Sequence, residues 1–359
     1  LPGPEAMQLA TYAGWRLRGS WGGLIAGGLF VLPGALVILV LAMIYARLGE
    51  VPVVQAAFTG IKATVIIIVL QALAKVAGKA LGSLGAWVLA AGAFLALFAL
   101  GLPYPLIVLA AALYGALFLP VVAKPPAHPP TTRAASVKTL LIWGGLWAAP
   151  IVTVMALDQT FLTQIALFFS KLAVVTFGGA YAVLAYMTQS IVADYGWIST
   201  AQMIDALGLA ETTPGPLILV TEFVALLAGF QQGGVLMALA AGALALWVTF
   251  IPCFLWIFMA GPYLDEIATR PRLSAALDGI TAAVVGVILN LAVWFGMHVL
   301  FREMTQVVWL AAPMPLPPSL DVRALALTAL AATLLWGVRR GMVETLVFMA
   351  CAGWIASLF

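Results

Sequence analysis

The motif Pro-Gly-Pro occurs twice in this chain, each time at the start of a long apolar stretch. It stands at Pro2-Gly3-Pro4 and again at Pro214-Gly215-Pro216. Proline and glycine interrupt a helix, and in a bilayer the freed amide groups are tolerated only where protein or a water-filled cavity satisfies them. A break that is present twice therefore predicts a solute site between two repeated halves. Glycines and prolines that only permit kinks or close helix packing are the alternative.

A few charged residues interrupt the apolar stretches near these motifs. Lys62 lies within the apolar segment from Val54 to Leu70, and Glu211 and Glu222 flank the second Pro-Gly-Pro. A charge inside a membrane is costly, so it is by default a candidate functional group. Snorkelling from near a helix end is the alternative for Lys62, and Lys171 is equally well explained as an interfacial anchor.

Composition identifies lipid as the solvent of this chain. Of its 359 residues, 64% are hydrophobic and only 8% are charged, whereas soluble domains carry about 25% charged residues. The long runs of Ala, Leu, Val and Ile lack the alternation that the strands of a membrane β-barrel require. The sequence therefore predicts an all-α polytopic membrane protein with about 10 to 12 membrane segments, counting broken ones.

Several classes of function are not supported by the sequence. The net charge of +3 comes from scattered basic residues, so we expect no nucleic-acid partner. Cys253 and Cys351 lie in apolar runs, and no group of His, Cys and acidic residues has the spacing of metal ligands. No glycine-rich Walker motif is present. We therefore expect no metal, no other cofactor and no catalytic residues.

The two halves correspond over more than Pro-Gly-Pro. Pro33 corresponds to Pro252, and Gly60-Ile61-Lys62-Ala63 corresponds to Gly279-Ile280-Thr281-Ala282, both at one common separation along the chain. The two Pro-Gly-Pro motifs stand slightly closer together than this separation, so the second half has gained a short insertion before Pro252. We predict a first repeat over 1–123, a proline-rich cytoplasmic linker over 124–138 and a second repeat over 139–359.

Charge placement predicts that the repeats are inverted in the membrane. The loop after the first broken helix carries Arg16 and Arg18, whereas the corresponding residues 231–234 carry no charge. Because basic loops are cytoplasmic, these two loops are expected on opposite faces. The second half also has a unit before Pro214 that has no counterpart before Pro2. We expect that the first repeat lacks its first broken-helix segment, about 40 to 50 residues, by comparison of the halves.

An ordered set of motifs resembles the chromate ion transporter family in its long form with two homologous halves. The second half contains Thr176-Phe177-Gly178-Gly179-Ala180-Tyr181, Glu211-Thr212-Thr213-Pro214-Gly215-Pro216-Leu217 and Val284-Val285-Gly286-Val287-Ile288-Leu289-Asn290-Leu291-Ala292. The first half contains residues 1–10 and Gly60-Ile61-Lys62-Ala63. The resemblance implies a secondary transporter in the inner membrane of a bacterium that exports chromate by alternating access, with sulfate as a competitor.

The chemistry of these oxyanions assigns roles to the residues of the motifs. Chromate and sulfate are tetrahedral dianions, so a membrane site must replace their hydration with hydrogen-bond donors and positive charge. We expect Lys62 to supply the cation and the broken helices to supply amide groups. The predicted substrate-binding residues are Pro2, Gly3, Pro4, Gln8, Lys62, Thr176, Phe177, Gly178, Gly179, Thr212, Thr213, Pro214, Gly215, Pro216 and Asn290.

The same motifs leave several questions open. Glu211, Glu222 and Lys171 are candidates for coupling transport to an ion. Alternatively, Glu211 is a polar cap and Glu222 is the partner of a lysine. Gln8 and Asn290 either donate to the substrate or hold helices together. The chain is alternatively a carrier of another inorganic anion, a truncated form that is inactive or depends on a partner, or an intramembrane enzyme acting on lipid headgroups. A homodimer is compatible with the sequence.

Overall fold

The computed structural model describes residues 4–119, 133–175, 180–213, 216–261, 270–307 and 310–358. Twelve α-helices lie within these residues, which confirms the predicted all-α fold class. They are α1 (Pro4–Leu48), α2 (Pro52–Ala80), α3 (Leu84–Phe98), α4 (Tyr104–Phe118), α5 (Arg133–Ala156), α6 (Thr160–Val175), α7 (Ala180–Gln189), α8 (Thr200–Thr212), α9 (Val220–Ala260), α10 (Pro271–Leu300), α11 (Val322–Ala332) and α12 (Met342–Ala356).

Short irregular elements join some of the helices. A π-helical turn over Ser190–Asp194 follows α7, and a 3₁₀ turn over Leu217–Leu219 precedes α9. Between α10 and α11, β1 (Met304–Thr305) pairs antiparallel with β2 (Met314–Pro315). This small hairpin was not predicted. Helix α5 begins at Arg133, so residues 133–138 of the predicted linker are helical.

The helices present apolar residues to their surroundings, as a lipid solvent requires. Leu17, Leu84 and Leu236 are each 81% exposed. Five helical stretches are long and apolar enough to cross a membrane, over 6–48, 52–80, 137–156, 217–260 and 271–300, and five described apolar helices are shorter. The chain is therefore a multi-pass membrane protein.

Two compact units make up the described structure, and each contains segments of both predicted repeats. Unit 1 comprises 1–46, 120–183 and 213–275, and unit 2 comprises 47–119, 184–212 and 276–359. The repeats are defined by corresponding sequences, whereas the units are defined by contacts between helices. The units therefore do not test the repeat boundaries, which stay a prediction.

Unit 1 is held together by aromatic packing on α9. The ring of Trp143, on α5, stacks on Phe254 with ring centroids 5.4 Å apart. The indole of Trp147 donates a hydrogen bond of 3.1 Å to Ser170 Oγ, which joins α5 to α6. A Cβ added at Gly23 of α1 would lie 2.8 Å from the ring of Phe258, so glycine permits this close approach.

Unit 2 contains two close helix contacts that use glycine in the same way. A Cβ at Gly60 of α2 would collide with the backbone of Met349 on α12, and a Cβ at Gly279 of α10 would lie 2.5 Å from the carbonyl oxygen of Ala111 on α4. Gly60 and Gly279 correspond in the sequence repeat, and each packs against a helix of the other half. In each of the two contacts, a glycine of one half therefore packs against a helix of the other half.

A second structural correspondence lies at the bends of α1 and α9. Arg18 and Gly19 have φ/ψ of −140°/25° and 63°/−157°, and Gly233 and Gly234 have −159°/24° and 71°/−156°. Gly27 and Gly242 are separated along the chain by the same number of residues as Arg18 and Gly233. Gly27 packs against Thr11, and Gly242 packs against Leu226, which is the counterpart of Thr11. The two bends are thus the same local structure made from different side chains.

Candidate functional site

Lys62 forms a buried ion pair with an aspartate that the sequence analysis did not single out. Its Nζ lies 2.9 Å from Oδ1 of Asp205, and the two side chains are 17% and 1% exposed. Both residues belong to unit 2, Lys62 on α2 and Asp205 on α8. In a medium of low polarity each charge stabilises the other, so the cation predicted to meet the substrate already has an anionic partner.

Glycine on α8 brings these two helices close enough for the ion pair. A Cβ at Gly208 would lie 2.8 Å from Cγ2 of Ile61, the neighbour of Lys62. Because Gly208 lies almost one turn beyond Asp205, the close approach is on the helix surface next to the carboxylate. The pairing thus depends on a small residue at 208.

Asp205 lies outside the motifs, but its sequence context carries a signal. It lies in Met203-Ile204-Asp205-Ala206-Leu207, where its neighbours are apolar and buried. A charge inside an apolar run is a candidate functional group, and this holds for Asp205 as it does for Lys62. Glu211, on the same helix, is also buried, with 9% of its surface exposed.

Glu222 is a buried acid of unit 1. It lies in the first turn of α9, is 3% exposed, and its Oε2 makes no hydrogen bond in the structure. The hydroxyl of its neighbour Thr221 donates to the carbonyl oxygen of Ile218 at 2.8 Å, which secures the 3₁₀ turn before α9. A buried carboxyl oxygen that accepts no hydrogen bond destabilises the folded protein, so this position is suited to a proton or a polar ligand.

The helices end where the sequence predicted interruptions. Helix α6 ends at Val175 and α7 begins at Ala180; α8 ends at Thr212 and α9 begins at Val220. Pro216 is buried with φ/ψ of −73°/133°, and Thr213 is half-buried. Eight of the predicted site residues lie outside the described residues: Pro2, Gly3, Thr176, Phe177, Gly178, Gly179, Pro214 and Gly215.

The remaining predicted residues fall into both units. Pro4 begins α1 and Gln8 is half-buried on it, in unit 1, which also contains the segments of all three predicted breaks. Lys171 is exposed on α6, in unit 1. Asn290 is half-buried on α10, in unit 2, where it lines a cavity. The segments of the predicted breaks therefore belong to unit 1, whereas Lys62 and Asn290 belong to unit 2.

Metal chemistry has no support from the side chains that the structure describes. Among these residues, no three His, Cys, Asp or Glu side chains are grouped as metal ligands. Cys253 is buried, and Cys351 is exposed on α12.

Apolar helices that are interrupted beside buried charges are typical of multi-pass membrane transport proteins. The chain belongs to the chromate transporter family, whose model matches residues 1–116 and 163–356. This confirms the resemblance found in the motifs. Because the members to which the chain is similar are transport proteins, the expectation that it is not an enzyme is also confirmed.

Three bacterial relatives have similar sequences over most of this chain. A probable chromate transport protein of Synechococcus elongatus is 30% identical over 300 residues, which cover 82% of this chain and 71% of the relative. A chromate transport protein of Pseudomonas aeruginosa is 32% identical over 292 residues, covering 80% and 67%. A chromate transport protein of Cupriavidus metallidurans is 30% identical over 290 residues, covering 80% and 68%. No solved structure matches the chain.

Proposed function

We propose that this protein exports chromate across the inner membrane as a secondary transporter that works by alternating access. The family and the names of three relatives support chromate as the substrate. The structural observation that carries the proposal is Glu222, a buried carboxyl group with a free oxygen at the head of a broken helix. Such a group changes its charge in the membrane when it binds a proton, which a secondary transporter requires of a coupling residue.

The charge of the substrate supports export as the direction of transport. Chromate is a dianion, and a membrane potential that is negative inside favours its outward movement by about 2.3 kcal/mol per charge for every 100 mV. A site that opens alternately to the two faces therefore needs no nucleotide hydrolysis to export it. Uptake of the same dianion would have to work against the potential.

Proton binding at Glu222 and anion binding nearby assist each other in this proposal. An ionised Glu222 repels a dianion that approaches the start of α9, whereas a protonated Glu222 adds a hydrogen-bond donor. The helix starts that follow Pro-Gly-Pro and Phe-Gly-Gly, those of α9 and α7, offer backbone amides to the oxyanion. In unit 2, Lys62 is the candidate cation. Asp205 is its ion-pair partner until the substrate anion replaces the carboxylate.

Oxyanion flux into inverted membrane vesicles tests the proposal. We expect chromate uptake that responds to an imposed proton gradient, and sulfate should inhibit it. Glu222→Gln should retain the fold but lose the response to the gradient, because the amide cannot exchange a proton. Glu344→Gln is the matched control, since Glu344 is 58% exposed in a surface pair with Arg340.

Each outcome decides a separate part of the proposal. Uptake of another inorganic anion without uptake of chromate would contradict the substrate, and an unchanged gradient response in Glu222→Gln would contradict the coupling role. A homodimeric assembly is a further part of the proposal, which native mass spectrometry of the detergent-purified protein tests directly.

A further inference from the structure

Unit 2 contains a cavity that the proposed transport mechanism does not use, and its mainly apolar wall includes four polar side chains. Its volume is about 200 Å³. Because one water molecule needs about 10–15 Å³ of cavity volume, the cavity has room for several waters or a small ion. Its polar side chains are Thr188, Gln189, Thr200 and Asn290. No charged side chain is among the described residues that line it, and the remaining wall is apolar, including Leu97, Leu291 and Trp294.

Thr188 in the cavity wall is unusual among the helical threonines. Thr64, Thr281, Thr328 and others donate their hydroxyl to the carbonyl oxygen four residues earlier in the same helix. Thr188 is 3% exposed, and its Oγ1 makes no hydrogen bond. A buried hydroxyl without a partner costs free energy, and a rotation about χ1 exchanges its hydroxyl and methyl positions. In the observed rotamer Oγ1 is itself buried, and this rotation is what makes the free donor available to a ligand in the cavity that Thr188 lines.

The backbone around Thr188 departs from α-helical geometry on the same wall. The π-helical turn Ser190–Asp194 follows α7 directly, and its residues Val192 and Ala193 line the cavity. Its characteristic bond joins the amide of Tyr195 to the carbonyl oxygen of Ser190 at 3.0 Å. Single π-helical turns are rare, and they are frequent at functional sites.

Ala311 and Ala312, which line the cavity, are anchored by backbone hydrogen bonds. Their amides donate to the carbonyl oxygens of Ala99 and Phe98 at 3.0 and 3.1 Å. These residues lie in the connection between α10 and α11, which carries Arg302 and, at the start of α11, Arg323. The other ends of the two helices carry four basic residues, Arg270, Arg272, Arg339 and Arg340. Since the side richer in basic residues is cytoplasmic, the cavity lies toward the periplasmic face.

We propose that this cavity is a second binding position for a tetrahedral oxyanion, a vestibule through which the transported ion leaves unit 2 toward the periplasm. The inference rests on the proposed transport of an oxyanion. Hydroxyl and amide groups of Thr188, Gln189, Thr200 and Asn290 can all donate hydrogen bonds to oxyanion oxygens. No carboxylate among the described lining residues repels the ion.

The lack of a cation in the described lining fits an exit position. An ion that is to leave must be bound strongly enough to enter a position and weakly enough to depart from it. Neutral donors inside an apolar wall satisfy both conditions, whereas a lysine would hold the dianion. The vestibule and the Lys62–Asp205 pair thus have different roles within unit 2.

The vestibule can be tested without measuring transport, by the reaction of a cysteine at position 188 with a thiol reagent and by the effect of sulfate on the rate of that reaction. The chain has only Cys253 and Cys351, so Cys253→Ala and Cys351→Ala give a background in which Thr188→Cys is the single thiol. We expect an anionic methanethiosulfonate reagent to modify it in the purified full-length protein, and sulfate to slow the modification about fivefold, the effect of about one hydrogen bond. Chloride at equal ionic strength should not protect it.

Thr249→Cys is the matched control in unit 1. Thr249 is also 3% exposed with an unpartnered hydroxyl, but it does not line this cavity. Sulfate should not protect a cysteine there. An unreactive Thr188→Cys, a reaction that sulfate leaves unchanged, or equal protection at position 249 would each overturn the vestibule. If the cavity holds only water or lipid, sulfate should leave the reaction of Thr188→Cys unchanged.

Flux measurements separate this inference from the proposed function. Thr188→Val should raise the KM for chromate about fivefold, for the loss of one hydrogen bond, whereas Thr249→Val should leave it unchanged. Sulfate protection in a protein that transports no chromate would support the vestibule and contradict the proposed substrate. Transport with an unchanged KM in Thr188→Val would overturn the vestibule and leave the proposed function intact.

Discussion

Nζ of Lys62 lies 2.9 Å from Oδ1 of Asp205, which is only 1% exposed. A lysine that meets a substrate dianion must therefore exchange one anionic partner for another. Asp205 stabilises the cation while the site is empty, and this lowers the energetic cost of keeping Lys62 inside the membrane. The pair also changes how a substitution of Lys62 has to be tested, because removing the lysine leaves a buried carboxylate behind.

Removing both charges should separate the structural role of this pair from its role in transport. Lys62→Gln or Asp205→Asn alone should destabilise the protein by about 3–5 kcal/mol, because each leaves an uncompensated buried charge. The double variant should recover most of that loss and still fail to transport chromate. Thermal unfolding in detergent and flux normalised to protein abundance measure the two effects.

Two results would contradict this account of the pair. Additive losses of stability in the double variant would show that the charges do not interact. Normal flux in the double variant would show that Lys62 is not the cation of the substrate. Lys62→Arg should restore flux only in part, since a planar guanidinium does not replace a compact ammonium group.

Gly208→Ala should weaken the ion pair through packing alone. The added Cβ would lie 2.8 Å from Cγ2 of Ile61 and would push α8 away from α2. We expect a loss of about 1–3 kcal/mol in the free energy of unfolding and reduced flux. Gly78→Ala is the control on α2, because no atom lies within 4 Å of its Cβ position. Equal stability of the two variants would rule out the packing role of Gly208.

The matching bends predict matching sensitivity to substitution. Gly19 and Gly234 have φ of 63° and 71° with ψ near the extended value, a region that only glycine adopts readily. Alanine at either position should cost about 1–3 kcal/mol, although no atom lies near either Cβ. Gly28→Ala, on the helical part of α1, should cost nothing. Unequal effects at 19 and 234 in thermal unfolding would contradict a common structure of the bends.

Labelling from the two faces of the membrane tests the inverted arrangement of the repeats. Ser20 and Gln232 are exposed beside the two bends. In the cysteine-free background, a membrane-impermeant maleimide should reach Ser20→Cys from the cytoplasmic face and Gln232→Cys from the opposite face. Lys79→Cys, at the basic last turn of α2, serves as the control for the side that the basic residues predict to be cytoplasmic. Labelling of both test positions from one face would exclude the inverted repeat.

Acid should weaken the connection between α10 and α11. Asp321 accepts hydrogen bonds from the amides of Arg323 and Ala324 and pairs with Arg302 at 2.8 Å. Burial alone would raise its pKa, but the amide of Ala324 and the guanidinium of Arg302 lower the pKa below its usual value of 3.8. A depressed pKa contributes stability above the unfolded value, and this contribution is lost as pH falls through the folded value.

Substitutions at Asp321 identify this contribution in the pH dependence of thermal unfolding. Asp321→Asn should retain the helix cap and lose stability less steeply than the wild type below pH 3.8. Asp321→Ala should cost about 0.5–2 kcal/mol even at neutral pH, because the cap itself is lost. Wild-type pH dependence in Asp321→Asn would show that another group is responsible.

The sequence by itself determined the fold class, the helices and the family. Lipid demands long apolar segments with internally bonded backbone, so the spans can be recognised without knowledge of their neighbours. The interruptions at Phe-Gly-Gly and the second Pro-Gly-Pro coincide with the ends of α6 and α8 because proline and glycine act locally. The repeat is likewise visible because both halves need the same glycines at corresponding close contacts.

Only the tertiary structure decided which residues meet. Lys62 and Asp205 lie on helices that are distant in the chain, and nothing in either local sequence specifies the other. The composition of the two units, the shared geometry of the bends and the cavity beside Asn290 depend in the same way on contacts between helices. In a membrane, apolar patterning places a segment in lipid but does not select its partners. The partners are selected by small residues that permit close approach and by buried polar groups that need one another.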